Sequence, residues 1–390
     1  MGYWSQMRAA DFIEFNPRLS IKKGAVATKI AMDKLKPFTK KIPETEKAEF
    51  GGGSKFCNGD TIMARITPCL ENGKTAFVDI LEDNEIAFGS TEFIVMRARE
   101  GISDPQFVYY LATSPMFRNV AIKSMVGSSG RQRVQQSVLD KLELTVPSLE
   151  EQKQIGSFLA LLDKKIAVNN EINDNLQQQL FSLYENIAMT SPCSKEDTLS
   201  NLCDFQEGYV NPAQTHPEFF DGEVKWLRAV DINESFITET SRTLTIAGFE
   251  SAKKSALLFK PNTIAISKSG TIGRLGIIAD YMCGNRAVIN IAPHDANMLA
   301  YIYCFLKSKQ REFPDMAVGS VQKNLYVSLL EPLSVSMPDD ESLTTFNASG
   351  ASILDMIHNN CVENTKLANL RDTILPKLMS GEIDVSDIQL

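Results

Sequence analysis

The tripeptide Gly-Lys-Thr at 73–75 invites a phosphate-binding reading, because glycine-rich loops ending in lysine cradle phosphates with backbone amides. That motif also needs a glycine five residues before Gly73, where the chain has Pro68. It needs a helix afterwards, whereas "TAFVDI" reads as a strand. Asn72-Gly73 between strand-like runs signals a hairpin instead, and "GGGS" at 51–54 reads as a flexible turn. There is no G-x-G-x-x-G after a strand, no nucleophile elbow, no H-E-x-x-H and no pair of acids at metal-binding spacing. Seven cysteines without a close CxxC pair, and three histidines far apart, argue against structural zinc and for free thiols. The Asn/Asp-Pro-Pro-aromatic loop of an adenine methyltransferase is absent too, since neither "FNPRL" nor "VNPAQ" supplies it.

The chain offers polar, glycine-bearing loops with isolated cations. They are "ARITPCLENGKT" and "GSSGRQRVQQS" in the first half, "SKSGTIGRLG" and "GSVQKN" in the second. Lysine and arginine suit phosphates and guanine edges, and glutamine suits adenine edges. The candidate DNA-facing residues are therefore Arg65, Thr67, Lys74, Ser128, Ser129, Arg131 and Gln132 in one set. Lys268, Ser269, Thr271, Arg274, Gln322 and Lys323 form the other. Solvated turns of no particular function have the same composition, so the loops alone do not decide.

The elements that carry these loops occur twice. Aligning "KLELTVPSLEEQ" with "PLSVSMPDDESL" puts Pro147 on Pro338, an offset of 191. "GDTIMARI" (59–66) parallels "PNTIAISK" (261–268), and "NGKTAFV" parallels "IGRLGII". Such a period excludes short solenoid repeats and implies duplication of a whole domain plus a helix. The first 58 residues show no clear counterpart at 193–260. Residues 1–147 and 193–338 mix β-branched strand signals with a few helices, and each reads as an α+β domain.

Beyond each domain the pattern turns helical. Ile155, Leu159, Leu162, Ile166, Leu176, Leu180, Leu183 and Ile187 recur at heptad spacing, with Asn169 and Asn173 at seam positions between them. The second copy reads Phe346, Gly350, Ile353, Ile357, Asn360, Asn364, Leu367, Arg371, Ile374 and Leu378. This predicts two coiled-coil helices of roughly 55 Å, packed antiparallel so that the central asparagines oppose one another and hold the register. Pro147 and Pro192 bracket the first helix. Pro376 lies inside the second pattern, which implies a kink or an end near Leu375.

At 390 residues two or more cores are expected. No apolar run reaches the roughly 18 residues of a membrane span, and the N-terminus lacks the pattern of a signal peptide, so a cytoplasmic protein is expected. The net charge of −8 does not favour a polyanion partner. The excess of acid over base, however, lies in the helical segments. Residues 339–390 carry 3 Lys+Arg against 9 Asp+Glu, while residues 1–147 carry 20 against 17.

Two copies of a domain ending in Gly-Ser…Gln, a strand and "VPSLEEQKQIGSFLALLDKKI" resemble the specificity subunit of type I restriction-modification systems. "ITPCLENGKTAFV", "SGTIGRLGII" and the closing "LRDTILPKLMSGEIDV" resemble motifs of the same family. The resemblance implies target-recognition domains at 1–147 and 193–338, a central spacer helix at 148–192, and a distal spacer helix with tail at 339–390. It implies pseudo-two-fold symmetry and a non-catalytic subunit that reads a bipartite double-stranded DNA target, one half per domain. It also implies two methyltransferase subunits binding S-adenosylmethionine and restriction subunits using ATP and Mg, with no cofactor in this chain. A coiled-coil-linked protein-binding scaffold is the competing expectation.

Overall fold

A computed structural model describes residues 4–128, 130–191, 193–319 and 322–385. The chain divides into two compact units, residues 1–167 with 367–390, and residues 168–366. The division passes through both long helices, so each unit holds part of each.

The first unit is built on an antiparallel sheet in the order Ile13–Phe15, Phe93–Ala98, Thr61–Ala64, Thr75–Phe77. Both inner strands are apolar on successive residues, as strands covered on both faces must be. Thr61, Ile62, Met63 and Ala64 are all buried. Helices Pro105–Thr113 and Pro115–Lys123 cover the sheet, the first capped by Asp104, which accepts from the Phe107 amide. Proline opens both helices, where a missing N–H is harmless. A second sheet runs Glu46–Glu49, Val26–Ile30, Ala87–Gly89, Ser54–Phe56. A short ladder joins Ser5–Arg8 to Glu143–Val146. The main core draws Ile155, Phe158, Leu159 and Leu162 from the central helix, and Leu375, Leu378 and Met379 from the distal one.

The second unit repeats the plan. Its principal sheet runs Cys203–Glu207, Val288–Pro293, Ile264–Ser267, Leu275–Ile278, with Phe236–Ile237 added at the edge. Its second sheet runs Thr243–Leu244, Phe220–Leu227, Met282–Gly284, Leu258–Phe259, and Lys195–Thr198 pairs with Ser334–Met337. Cys203, Cys283 and Cys304 are free and buried in this unit.

Two expectations from the repeat need correction. The strand of "TIMARI" matches that of "TIAISK" one residue later than the letters suggest. In the first unit Val78 N bonds Asp60 O and Gly59 N bonds Val78 O; in the second, Ile278 N bonds Thr263 O and Asn262 N bonds Ile278 O. Gly59 therefore corresponds to Asn262, both with positive φ (89° and 60°), and Arg65 to Lys268. A slip of one residue exchanges the two faces of a strand, so the shared Thr-Ile pair misleads. The N-terminal residues do have a counterpart: strand, helical turn and strand at Ser5–Phe15 recur at Lys195–Glu207. Ala9 N bonds Leu142 O, as Leu199 N bonds Leu333 O. Such short elements with dissimilar side chains leave little periodicity to detect.

The central helix spans Leu149–Thr190 and the distal helix Asp340–Ser380. Within the second unit they pair antiparallel. Asn169 Nδ2 donates to Asn364 Oδ1 at 2.9 Å, and Asn360 Nδ2 to Asn173 Oδ1 at 2.8 Å. Asn169 is 1% exposed and Asn173 4%, and Leu180, Ile187, Phe346, Ile353 and Ile357 are buried in the same unit. Leu183 departs from the expected seam at 41% exposure, because Tyr184 turns inward against Tyr301 and Phe346. Gly350 replaces an apolar seam residue for a steric reason: a Cβ there would lie 2.7 Å from the Ala300 Cβ. The distal helix does not end at Leu375. It continues through Pro376 to Ser380, since one lost helix bond near the terminus is offset by burying Leu375, Leu378 and Met379.

Candidate nucleic-acid interface

Each unit brings two loops together beside its principal sheet. In the first, the ten residues 65–74 leave strand Thr61–Ala64 and return as Thr75–Phe77. The arms 126–128 and 130–133 of a second loop lie against them: Val134 N donates to Arg65 O at 2.8 Å and Thr67 N to Gln132 O at 3.0 Å. In the second, residues 268–274 form the shorter first loop, and residues 318–319 and 322–324 lie beside it, joined by Leu325 N to Lys268 O at 2.9 Å. Val126 bridges Arg133 as Val318 bridges Asn324. Gly127 and Gly319 hold φ of 138° and 143°. A Cβ at either would meet the backbone carbonyl of Arg131 or Gln322 across the loop at 2.9 and 2.2 Å. Glycine is therefore required there by the turn.

Asn72-Gly73 does not make the expected two-residue hairpin. It closes the ten-residue loop, with Gly73 at φ 72° and space taken by the Phe38 ring, 2.6 Å from where its Cβ would be. "GGGS" is likewise more than a flexible turn, since a Cβ on Gly53 would overlap the Gly89 carbonyl.

The candidate residues separate by environment. Ser128, Arg131, Thr271, Gln322 and Lys323 are exposed, and Gln132 and Ser269 half-buried. Ser129 lies outside the described residues. Thr67 is half-buried with its hydroxyl 3.6 Å from Met125 Sδ. Arg65 is half-buried; its Nη2 reaches Val134 O at 3.5 Å and its buried Nε has no hydrogen-bond partner among the described residues. Arg274 is half-buried, its amide held by Ser267 Oγ at 2.8 Å.

Two expected cations turn inward. Lys74 donates to Met32 O at 2.9 Å. Lys268 pairs with Glu207 at 2.7 Å, its side chain 13% exposed, beneath the Tyr326 ring. Each has found an acceptor on a strand or loop distant in sequence, which loop composition cannot reveal. The charge of Lys268 is paired within the fold, and the ammonium of Lys74 is held against a neutral carbonyl.

Sequence reasoning missed three neighbours. Arg133 grips Glu92 at 2.6 Å, and its guanidinium holds that carboxyl below the usual range. Arg118 lies over Phe38 and donates to the Glu71 carbonyl at 2.7 Å. Tyr326 is 39% exposed above Lys268. Only Arg133, which lies inside the quoted loop "GSSGRQRVQQS", carried any signal. No group of three or more His, Cys, Asp and Glu among the described residues is placed to hold a metal ion.

The duplicated α+β unit thus presents paired polar loops twice, with one long helix following each copy in sequence. Residues 55–178 and 194–372 match the type I restriction modification DNA specificity domain, and the chain belongs to that family. It is a sequence-specific DNA-binding specificity subunit. It is 24% identical to the type I restriction enzyme HindI specificity subunit of Haemophilus influenzae, over 83% of this chain and 86% of that one. The EcoAI specificity subunit of Escherichia coli is 36% identical over 104 residues, 27% of this chain and 18% of that one. The crystal structure of the type I restriction-modification S subunit from M. genitalium superposes with a TM-score of 0.52 at 16% identity, covering 97% of this chain and 96% of that one. No described helix is long and apolar enough to cross a membrane.

Proposed function

We propose that the two units read the two halves of a bipartite double-stranded DNA target, one loop pair per half. The observation that carries this reading is the equivalence of the joined loops: the backbone bond from Val134 N to Arg65 O recurs from Leu325 N to Lys268 O, and the Val126–Arg133 bridge recurs as Val318–Asn324. A scaffold would need the sheets twice, but not two matched polar loop pairs. Arg131 and Lys323 would meet phosphates, and Ser128, Thr271, Gln132 and Gln322 would lie at base edges. Duplicated units suit spaced half-sites when related by pseudo-two-fold symmetry, with the antiparallel helices as spacer and the asparagines as register marks.

On this reading the chain is non-catalytic and works in the cytoplasm. Two methyltransferase subunits carrying S-adenosylmethionine dock on the helices, and restriction subunits supply ATP- and Mg-dependent cleavage. The near-neutral charge of residues 1–147 and 193–338 fits a complex in which partners share the phosphate contacts.

The test is co-expression with the methyltransferase subunit of the same system, followed by mapping of methylated adenines. Replacing residues 1–147 with the first domain of another family member should change one half of the methylated motif and leave the other. A change in both halves or in neither would defeat the modular reading, and absence of any chain-dependent methylation would favour the scaffold.

A further inference from the structure

The two bonds between opposed seam asparagines are indifferent to which helix is which, although Asn169 also donates to Glu363 at 2.7 Å and Asn364 to Asn170 at 2.9 Å, contacts that the repeat does not duplicate. By the offset of 191, Asn169 corresponds to Asn360 and Asn173 to Asn364, so the observed pairs Asn169–Asn364 and Asn173–Asn360 would form equally between two copies of one helix. Another pair in the helices is not indifferent. Arg371 Nη1 binds Asp163 Oδ1 at 2.5 Å, with side-chain exposures of 15% and 12%. Both residues lie in the first unit. Tyr110 donates its hydroxyl to the same carboxylate, and Lys40 donates to the Tyr110 oxygen at 3.1 Å.

The same offset equates Arg371 with Leu180 and Asp163 with Leu354. Those leucines are 1% and 4% exposed, in the core of the second unit. One unit thus carries a buried ion pair where the other carries two leucines. If two central helices paired with each other, Asp163 of each would face Leu180 of its partner. Two distal helices would set Arg371 against Leu354. Both arrangements part Asp163 from Arg371 and set each against a leucine; Asp163 keeps the Tyr110 hydroxyl and Arg371 keeps Asp372, 2.8 Å from its Nε, but losing the little-exposed partner across the seam is unfavourable.

We propose that Asp163 and Arg371 make the two helices of this chain pair with each other and reject a like helix from a second copy. Asparagine sets the register; the ion pair sets the identity of the partner. A polar group buried in a seam at a cost to stability is a known means of specifying pairing.

The test uses full-length chain and two double substitutions of equal composition. Leu180→Arg with Leu354→Asp gives each helix one acid and one base, so like helices can satisfy each other. Leu180→Asp with Leu354→Arg makes the central helix doubly acidic and the distal helix doubly basic, which reinforces the native choice. Two differently tagged copies are co-expressed and captured by one tag. The first variant should co-purify the second tag at least several-fold more than wild type, and the other variant no more than wild type. Equal behaviour of the two would overturn the proposal, since a merely structural ion pair has no direction. Should circular dichroism find both unfolded, Asp163→Leu with Arg371→Leu decides: it leaves an apolar seam free to pair with its like. Co-purification above wild type supports the proposal, and wild-type behaviour refutes it.

Discussion

Lys40 departs from ordinary solution behaviour because of what surrounds it. Its ammonium lies 4.7 to 5.3 Å from the ring centroids of Tyr110, Tyr109 and Phe77, and donates to Gln106 and Tyr110. Burial lowers its pKa to about 8, against a partial opposing pull from Asp163. Between pH 8 and the unfolded value near 10.4, the unfolded chain binds more protons at this site than the folded one. Stability attributable to Lys40 therefore rises with pH through that window, and the penalty is fully present below pH 8. Urea denaturation at pH 7.5 and pH 10 should show a pH-dependent gain that Lys40→Met diminishes, by up to about 3 kcal/mol at 1.36 kcal/mol per unit. An identical pH response in wild type and variant would contradict this. Lys40 gave no signal in the sequence, because its environment comes from a strand and a helix more than thirty residues away.

At the scale of elements, the long helices were legible, and so were the ends of the first between Pro147 and Pro192, whereas the end of the second beyond Pro376 was not. Heptad spacing located both, and the asparagines at 169, 173, 360 and 364 located their crossing, because a polar residue interrupting an apolar seam is visible in one dimension. What stays hidden is whatever depends on a partner elsewhere: the inward turn of Tyr184, the Ala300 contact at Gly350, and the Asp163–Arg371 pair. The loops were legible through their glycines, whereas the inward contacts of Lys74 and Lys268 were not, because Met32 and Glu207 lie far away in sequence. Replacing all four asparagines with leucine should not unfold the chain, since opposed leucines fill an apolar seam. It should remove the penalty of roughly 1–3 kcal/mol for each amide left unpaired by a heptad slip. The predicted consequence is a broadened spacing between half-sites in the methylated motif. A spacing as sharp as that of wild type would refute the register role.

Taken as a molecule, the chain is one fold written twice with unequal detail. The order of strands is the same in both units, apart from one added edge strand in the second, while the first loop is three residues longer in the first unit. Cysteine is distributed just as unequally. Cys203, Cys283 and Cys304 lie at 2%, 0% and 2% exposure in the second unit, and burial pushes each thiol up to about 12. Cys57 and Cys69, the cysteines of the first unit, are only half-buried. Alkylation requires both access and thiolate, so these three sulfurs should stay unlabelled at pH 8 while exposed Cys193 reacts at once. Peptide mass spectrometry against time in increasing urea would then time the opening of one duplicate separately from its twin. Labelling of the three at the rate of Cys193 would rule this out. Duplication followed by uneven drift has left the protein with a clock in one of its halves.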